Sequence, residues 1–89
     1  SITSNTLVFS TYGFDSMEKF IKKNENVGLS HIIVDGDKRR PIFLNDVFYD
    51  DSKYKYLEKV FDSSEMGYKY HVKIYKINYD MFKQEQIYQ

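Results

Sequence analysis

Gly28-Leu29-Ser30-His31-Ile32-Ile33-Val34-Asp35 is the stretch on which the architecture turns. From Leu29 to Val34 it is almost continuously apolar, the pattern of a strand covered on both faces, as in a parallel sheet. Asp35-Gly36-Asp37 closes it with turn-forming residues. Upstream, Thr6-Leu7-Val8-Phe9-Ser10-Thr11 is a second short β-prone run and reads as a strand, broken by Tyr12-Gly13-Phe14. Between the two runs, Asp15-Ser16-Met17-Glu18 has the spacing of a capping box with Asp15 as the cap. Met17, Phe20, Ile21 and Val27 follow at near-helical spacing, with Glu18, Lys19, Lys22, Lys23 and Glu25 turned outward, and Gly28 stands where a helix ends in a left-handed residue. Strand, helix and strand within about thirty residues predict a βαβ unit with a right-handed crossover.

Downstream, Pro41 suits the first turn of a helix, where its missing N–H costs nothing, and Phe43, Leu44, Val47 and Phe48 share a face. A short helix over 41–49 is expected, broken by Asp50-Asp51-Ser52. Residues 53–62 read as a helical turn near 52–56 passing into a strand at 57–62. Ser63 to Gly67 is a loop. Tyr68, Tyr70, Val72 and Ile74 then alternate with Lys69, His71 and Lys73, a half-buried strand. The parity shifts at Tyr75, Ile77 and Tyr79, which requires either a bulge near Lys76 or cover on both faces at that end. Residues 1–5 look linker-like, and 80–89 a frayed tail. The expected fold class is α/β (α+β) in a single soluble domain over 1–89: a βαβ unit, a short helix and a C-terminal β-hairpin. Together these make a mixed sheet of about four strands packed with helices.

Composition narrows function by exclusion. An 89-residue chain holds one small core, here rich in rings, with seven Phe and nine Tyr. Thirteen basic and thirteen acidic side chains cancel, so nothing in the net charge points to nucleic acid or an anionic membrane surface. Without cysteine, disulfides and thiolate chemistry are excluded. No apolar run approaches the ~20 residues that span a bilayer, and no signal peptide is visible. The start at Ser1, in a linker-like stretch, reads as a piece of a longer protein.

Asp35, Asp37, Arg39 and Arg40 crowd the loop that leaves the second strand, and in open parallel sheets ligands favour the carboxyl ends of strands. The arginines could fork onto a phosphate and Asp35 could take a sugar hydroxyl or cation; a polar turn uses the same residue types. This loop is the candidate ligand-binding site. His31 and His71 each fall in an expected strand and read as ordinary sheet histidines, since a metal pair would need those strands to be neighbours and a carboxylate to join them; no metal site is assigned. Tyr68 to Tyr79 interleaves rings with Lys69, Lys73 and Lys76, a pattern that can stack bases but reads first as an amphipathic strand with a lysine-protected edge; no nucleic-acid partner is expected. Asp46, Asp50 and Asp51 lack the alternating oxygen ligands of a calcium loop. There is no phosphate-cradling glycine loop and no nucleophile elbow, so no catalytic residue and no cofactor are assigned.

Phe20-Ile21, the run from Gly28 to Asp35, Leu57-Glu58-Lys59-Val60-Phe61-Asp62 and Val72-Lys73-Ile74-Tyr75-Lys76-Ile77 together resemble the extramembrane C-terminal segment of archaeal integral-membrane glycosyltransferases. These form the protein O-mannosyltransferase and 4-amino-4-deoxy-L-arabinose transferase superfamily. The resemblance spans roughly 16–79 and rests on hydrophobic patterns. It implies a parent enzyme that moves a sugar from a polyprenyl-phosphate carrier outside the cytoplasm, with its catalytic acids in membrane loops not contained in this chain. The domain would then be a non-catalytic accessory on the extracytoplasmic side. Its partners would be the transmembrane portion of the parent chain and a polyprenyl-linked sugar or glycan acceptor. Two alternatives stand beside it: a free-standing cytoplasmic module that binds an anion through Asp35, Asp37, Arg39 and Arg40, or a homo-oligomer paired through the tyrosine-rich last strand.

Overall fold

Helix α1 spans Met17–Asn24 and is capped by Ser16, whose hydroxyl accepts the Lys19 amide at 3.2 Å. The cap therefore lies one residue beyond Asp15, which pairs instead with the Lys19 ammonium at 3.2 Å on the surface. Ser16 holds the extended φ of −146° that a capping residue needs. After a 3₁₀ turn over Glu25–Val27, Gly28 adopts φ +108° and its N–H donates to the Glu25 carbonyl, as the sequence reading has it. The computed structural model describes residues 7–36 and 39–87. Within them follow β1 (His31–Asp35), α2 (Ile42–Tyr49), β2 (Leu57–Asp62), β3 (Val72–Ile77) and α3 (Tyr79–Ile87).

The sheet differs from the expected one. Among the described residues it has three strands in the order β1-β3-β2, all antiparallel. Residues 7–11 form no strand, and Thr6 and the linker-like residues 1–5 lie outside the described residues, so the βαβ unit with its crossover is absent. Leu7 and Val8 are both exposed, and only Phe9 packs partly against the core. β1 pairs with β3, and burial alternates along it: Ile32 and Val34 face the core while His31 and Ile33 face solvent. Its unbroken apolar run thus belongs to a strand with one open face, because Ile33 is an exposed isoleucine. Because β3 is antiparallel to both neighbours, β1 and β2 run the same way on either side of it; the crossover of this sheet is the connection from β1 through α2 to β2, and β3 then returns between them as a hairpin with β2.

That hairpin agrees with its expected β2 boundaries and differs at its far side. Ser63–Met66 form a 3₁₀ turn ended by Gly67 at φ +80°, and β3 begins only at Val72. Tyr68 and Tyr70, expected inside, are exposed. β3 contains no bulge: Val72, Ile74 and Lys76 face one way, Lys73, Tyr75 and Ile77 the other. The irregularity sits on β2, between Lys59 and Phe61. Lys73 is the residue that disguises the pattern. It lies on the core side, runs its stem over the Phe48 ring with Nζ 4.5 Å from the centroid, and donates to the Phe48 carbonyl at 2.7 Å.

One face of the sheet is closed by helices. Met17, Phe20 and Ile21 of α1 join Phe43, Leu44, Val47 and Phe48 of α2 in one buried cluster with Ile32, Val34, Leu57, Tyr75 and Ile77. The tail expected to fray is α3: Asn78 Oδ1 accepts the Met81 amide at 3.0 Å, and Phe82 is buried edge-on against Tyr56 at 4.9 Å. No helix among the described residues is long and apolar enough to cross a membrane.

Candidate functional site

The loop after β1 is the first place to look. Asp35 ends the strand, and Arg40 grips it with a fork, Nη2 to Oδ2 at 3.1 Å and Nε to Oδ1 at 3.4 Å. The two partners of the expected ligand site therefore bind each other across the turn, a geometry that fixes the loop as well as it could fix an anion. Arg39 is exposed beside them, and Asp37 lies outside the described residues.

The histidines are not brought together. His31 sits opposite Lys76 in the sheet and shares a 2.8 Å hydrogen bond with the Ser30 hydroxyl, whereas His71 precedes β3 at the other end. Among the described residues no group of three or more His, Cys, Asp or Glu side chains is placed to hold a metal ion. The rings and lysines of 68–79 are likewise divided: Tyr75 and Lys73 on the core side, Lys76 on the open side, Tyr68, Lys69 and Tyr70 in the loop before β3.

The acidic residues around α2 hold the fold. Asp46 accepts from the Lys53 ammonium at 3.1 Å and the Tyr54 hydroxyl at 2.9 Å, in that order the two donors that lower its pKa. Asp51 accepts the Tyr75 hydroxyl at 2.7 Å, and Glu18 of α1 accepts that of Tyr56 at 2.8 Å. Burial first, and these carboxylates second, push the Tyr54, Tyr56 and Tyr75 hydroxyls well above the ordinary phenol range. Each ring fills the core and its tip is tied at the rim, so each tether also sets the position of a helix or turn over the sheet. Asp62 plays a similar part in the hairpin. It takes the Ser64 hydroxyl at 2.6 Å and amide at 3.0 Å and the Lys59 ammonium at 3.1 Å. The Ser64 hydroxyl outweighs the opposing effect of burial, and with Lys59 and the amide it holds the carboxyl at about 2.

What the sequence did not signal is the open face. The register aligns Ile33 of β1, Ile74 of β3 and Phe61 of β2 in one row across the sheet on the side away from the helices. Ile33 is 65% exposed, and Ile74 and Phe61 are half-buried only by their neighbours. One row over, His31, Lys76 and Glu58 form a polar border. On the other side Phe61, Val72, Tyr68 and Tyr70 frame a hollow of about 570 Å³. Ser63 shapes it by donating to the Tyr70 carbonyl at 2.6 Å and accepting the Val72 amide at 2.8 Å. Ile33 could have been placed there from sequence only by knowing that β1 is antiparallel with one bare face.

Compared with family models, with curated proteins and with solved structures, the chain matches none.

Proposed function

We propose that this domain is a docking module that works through the open face of its sheet. We also propose that it serves as the extramembrane accessory domain of a polyprenyl-phosphate-sugar-dependent membrane glycosyltransferase, a 4-amino-4-deoxy-L-arabinose transferase or protein mannosyltransferase. The observation that carries the docking role is the Ile33–Ile74–Phe61 row continued into the Tyr68–Tyr70 hollow. Single exposed apolar side chains are ordinary, but a contiguous row bordered by polar residues is the mark of an interaction surface. The occupant is the membrane part of the same polypeptide on its extracytoplasmic side, where the domain shapes access for the acceptor. The hydrophobic patterns over roughly 16–79 support the parent class.

Two experiments test the two halves. The coding sequence around this chain is expected to encode several apolar spans of ~20 residues; their absence overturns the parent assignment. In membranes carrying the full-length protein, a photo-crosslinker at Ile74 should capture the transmembrane portion, and Phe61→Lys should weaken that capture. Crosslinking that ignores the Phe61 substitution refutes docking by this face.

A further inference from the structure

The two edges of the sheet are built differently. The outer edge of β2 is interrupted at Val60, between Lys59 and Phe61, and carries Lys59 bridged to Asp62 and Glu65. A bulge and a lysine are standard guards against strand pairing. β1 carries neither. It is five flat residues, His-Ile-Ile-Val-Asp, without lysine, proline or bulge.

The register says which groups point out from that edge. Ile77 N–H donates to the Ser30 carbonyl at 2.9 Å, so residues 30, 32 and 34 turn their backbone groups toward β3. The amides and carbonyls of His31 and Ile33 therefore point the other way. Leu7, Val8 and Phe9 run beside this edge and line a groove of about 250 Å³ with it, yet no backbone hydrogen bond among the described residues joins them to β1.

We propose that β1 pairs antiparallel with β1 of a second copy of this chain, about a two-fold axis at Ile33. In that register Ile33 faces its own counterpart, and the outward amide and carbonyl of each complete a hydrogen-bonded pair. His31 of each copy comes opposite Asp35 of the other, whose carboxylate also holds the Arg40 fork, and Ile32 comes opposite Val34 on the core side. Any other antiparallel register loses either the self-pairing of Ile33 or the His31–Asp35 match. The result is a six-stranded sheet in the order β2-β3-β1-β1-β3-β2, with the guarded β2 edges outermost, so assembly stops at the dimer. Leu7, Val8 and Phe9 line the groove beside this edge, with Phe9 partly packed on the core, so the pairing requires that they be displaced from it. Two five-residue strands bury far less than a standard interface of roughly 1,600 Å², so the association is weak and concentration-dependent. This inference rests on the strand edge and is independent of the role given to the open face.

Sedimentation of the full chain across concentration tests it, together with amide hydrogen exchange. The expected result is a monomer–dimer equilibrium in which the His31 and Ile33 amides gain protection as concentration rises. Ile33→Lys places two ammonium groups face to face and should weaken association at least tenfold, with the melting curve checking the fold. Should that variant lose its fold, His31→Asp, on an exposed side chain, sets like charges opposite Asp35 and carries the same question. Val60→Lys on the guarded edge should leave the equilibrium unchanged. A strictly monomeric chain near millimolar concentration, species larger than a dimer, or a dimer indifferent to Ile33→Lys and His31→Asp would each overturn the proposal.

Discussion

Replacing Phe82 by alanine asks whether the last helix is part of the folded unit. Phe82 is 1% exposed, packs edge-on to Tyr56 at 4.9 Å and to Tyr79 at 6.4 Å, and is the buried residue of α3. Removing a buried phenylalanine ring costs about 3–5 kcal/mol, part of it the cavity left behind. The lower end applies here, since a terminal helix can settle inward and close some of that space. A domain of this length has total stability on the order of 4–13 kcal/mol, so a loss of roughly 3 kcal/mol is a large fraction of it. At about 4–8 °C per kcal/mol the melting temperature should fall by roughly 12–24 °C. Urea denaturation of Phe82→Ala, with Met81→Ala as a control on the exposed side of the same helix, measures this. Met81→Ala is expected within about 0.5 kcal/mol of the parent. If Phe82→Ala also stays within about 1 kcal/mol, α3 does not contribute to the core and the packing described for Tyr56 is wrong.

Three further outcomes follow from the tethered rings and the hairpin carboxylate. Tyr56→Phe should cost about 1–2 kcal/mol: its hydroxyl donates to a charged group, but water can reach Glu18 in its place. A double-mutant cycle with Glu18→Gln should return a coupling near 1 kcal/mol, and additivity of the two would dismiss the bond. At high pH the folded values of Tyr56 and Tyr75 lie above those of the unfolded chain, so the unfolded chain loses its protons first. Stability that is intact below about pH 10 should therefore fall by up to ~1.4 kcal/mol per pH unit for each ring, read from urea unfolding midpoints taken at successive pH values. A slope left unchanged by Tyr56→Phe and by Tyr75→Phe would contradict this. Asp62 works in the opposite direction. Its folded pKa of about 2 lies below the ordinary carboxylate value, so its contribution is full above about pH 4 and is lost as pH falls toward 2. Asp62→Asn should flatten that stretch of the acid unfolding curve, and an unchanged slope would show the Ser64 and Lys59 bonds to be idle.

Local chemistry was readable where a residue type admits one geometry. Gly28 could be named as a left-handed helix end because only glycine takes φ +108° without strain, and β2 could be bounded between the helical turn read near 52–56 and the loop from Ser63. Reading failed where the answer depended on a neighbour. The Leu29–Val34 run looks the same whether its second face meets helices or solvent, and only the antiparallel partner β3 decides that Ile33 is bare. Lys73 on the core side broke the apparent alternation because its charge escapes along the stem to the Phe48 carbonyl. α3 announced itself poorly, since one ring, Phe82, does most of its anchoring. The loop carrying Asp35 and Arg40 was legible as a charged cluster, yet sequence could not say that the fork would close on Asp35.

The division of labour between side chains bears on what the domain offers a partner. Glu18, Asp46, Asp51 and Asp62 each receive a hydroxyl or ammonium hydrogen bond from this chain. For Asp46 and Asp62 those donors hold the carboxyl below its ordinary value, so both serve as charged tethers at neutral pH. The helices meanwhile cover one side of the sheet only. With a second helical layer absent among the described residues, the chain leaves Ile33, Ile74 and Phe61 in contact with water at some cost in stability. Under the proposed docking role that outward apolar row is the contact surface, and the proposed pairing through β1 would extend it from one copy into the next.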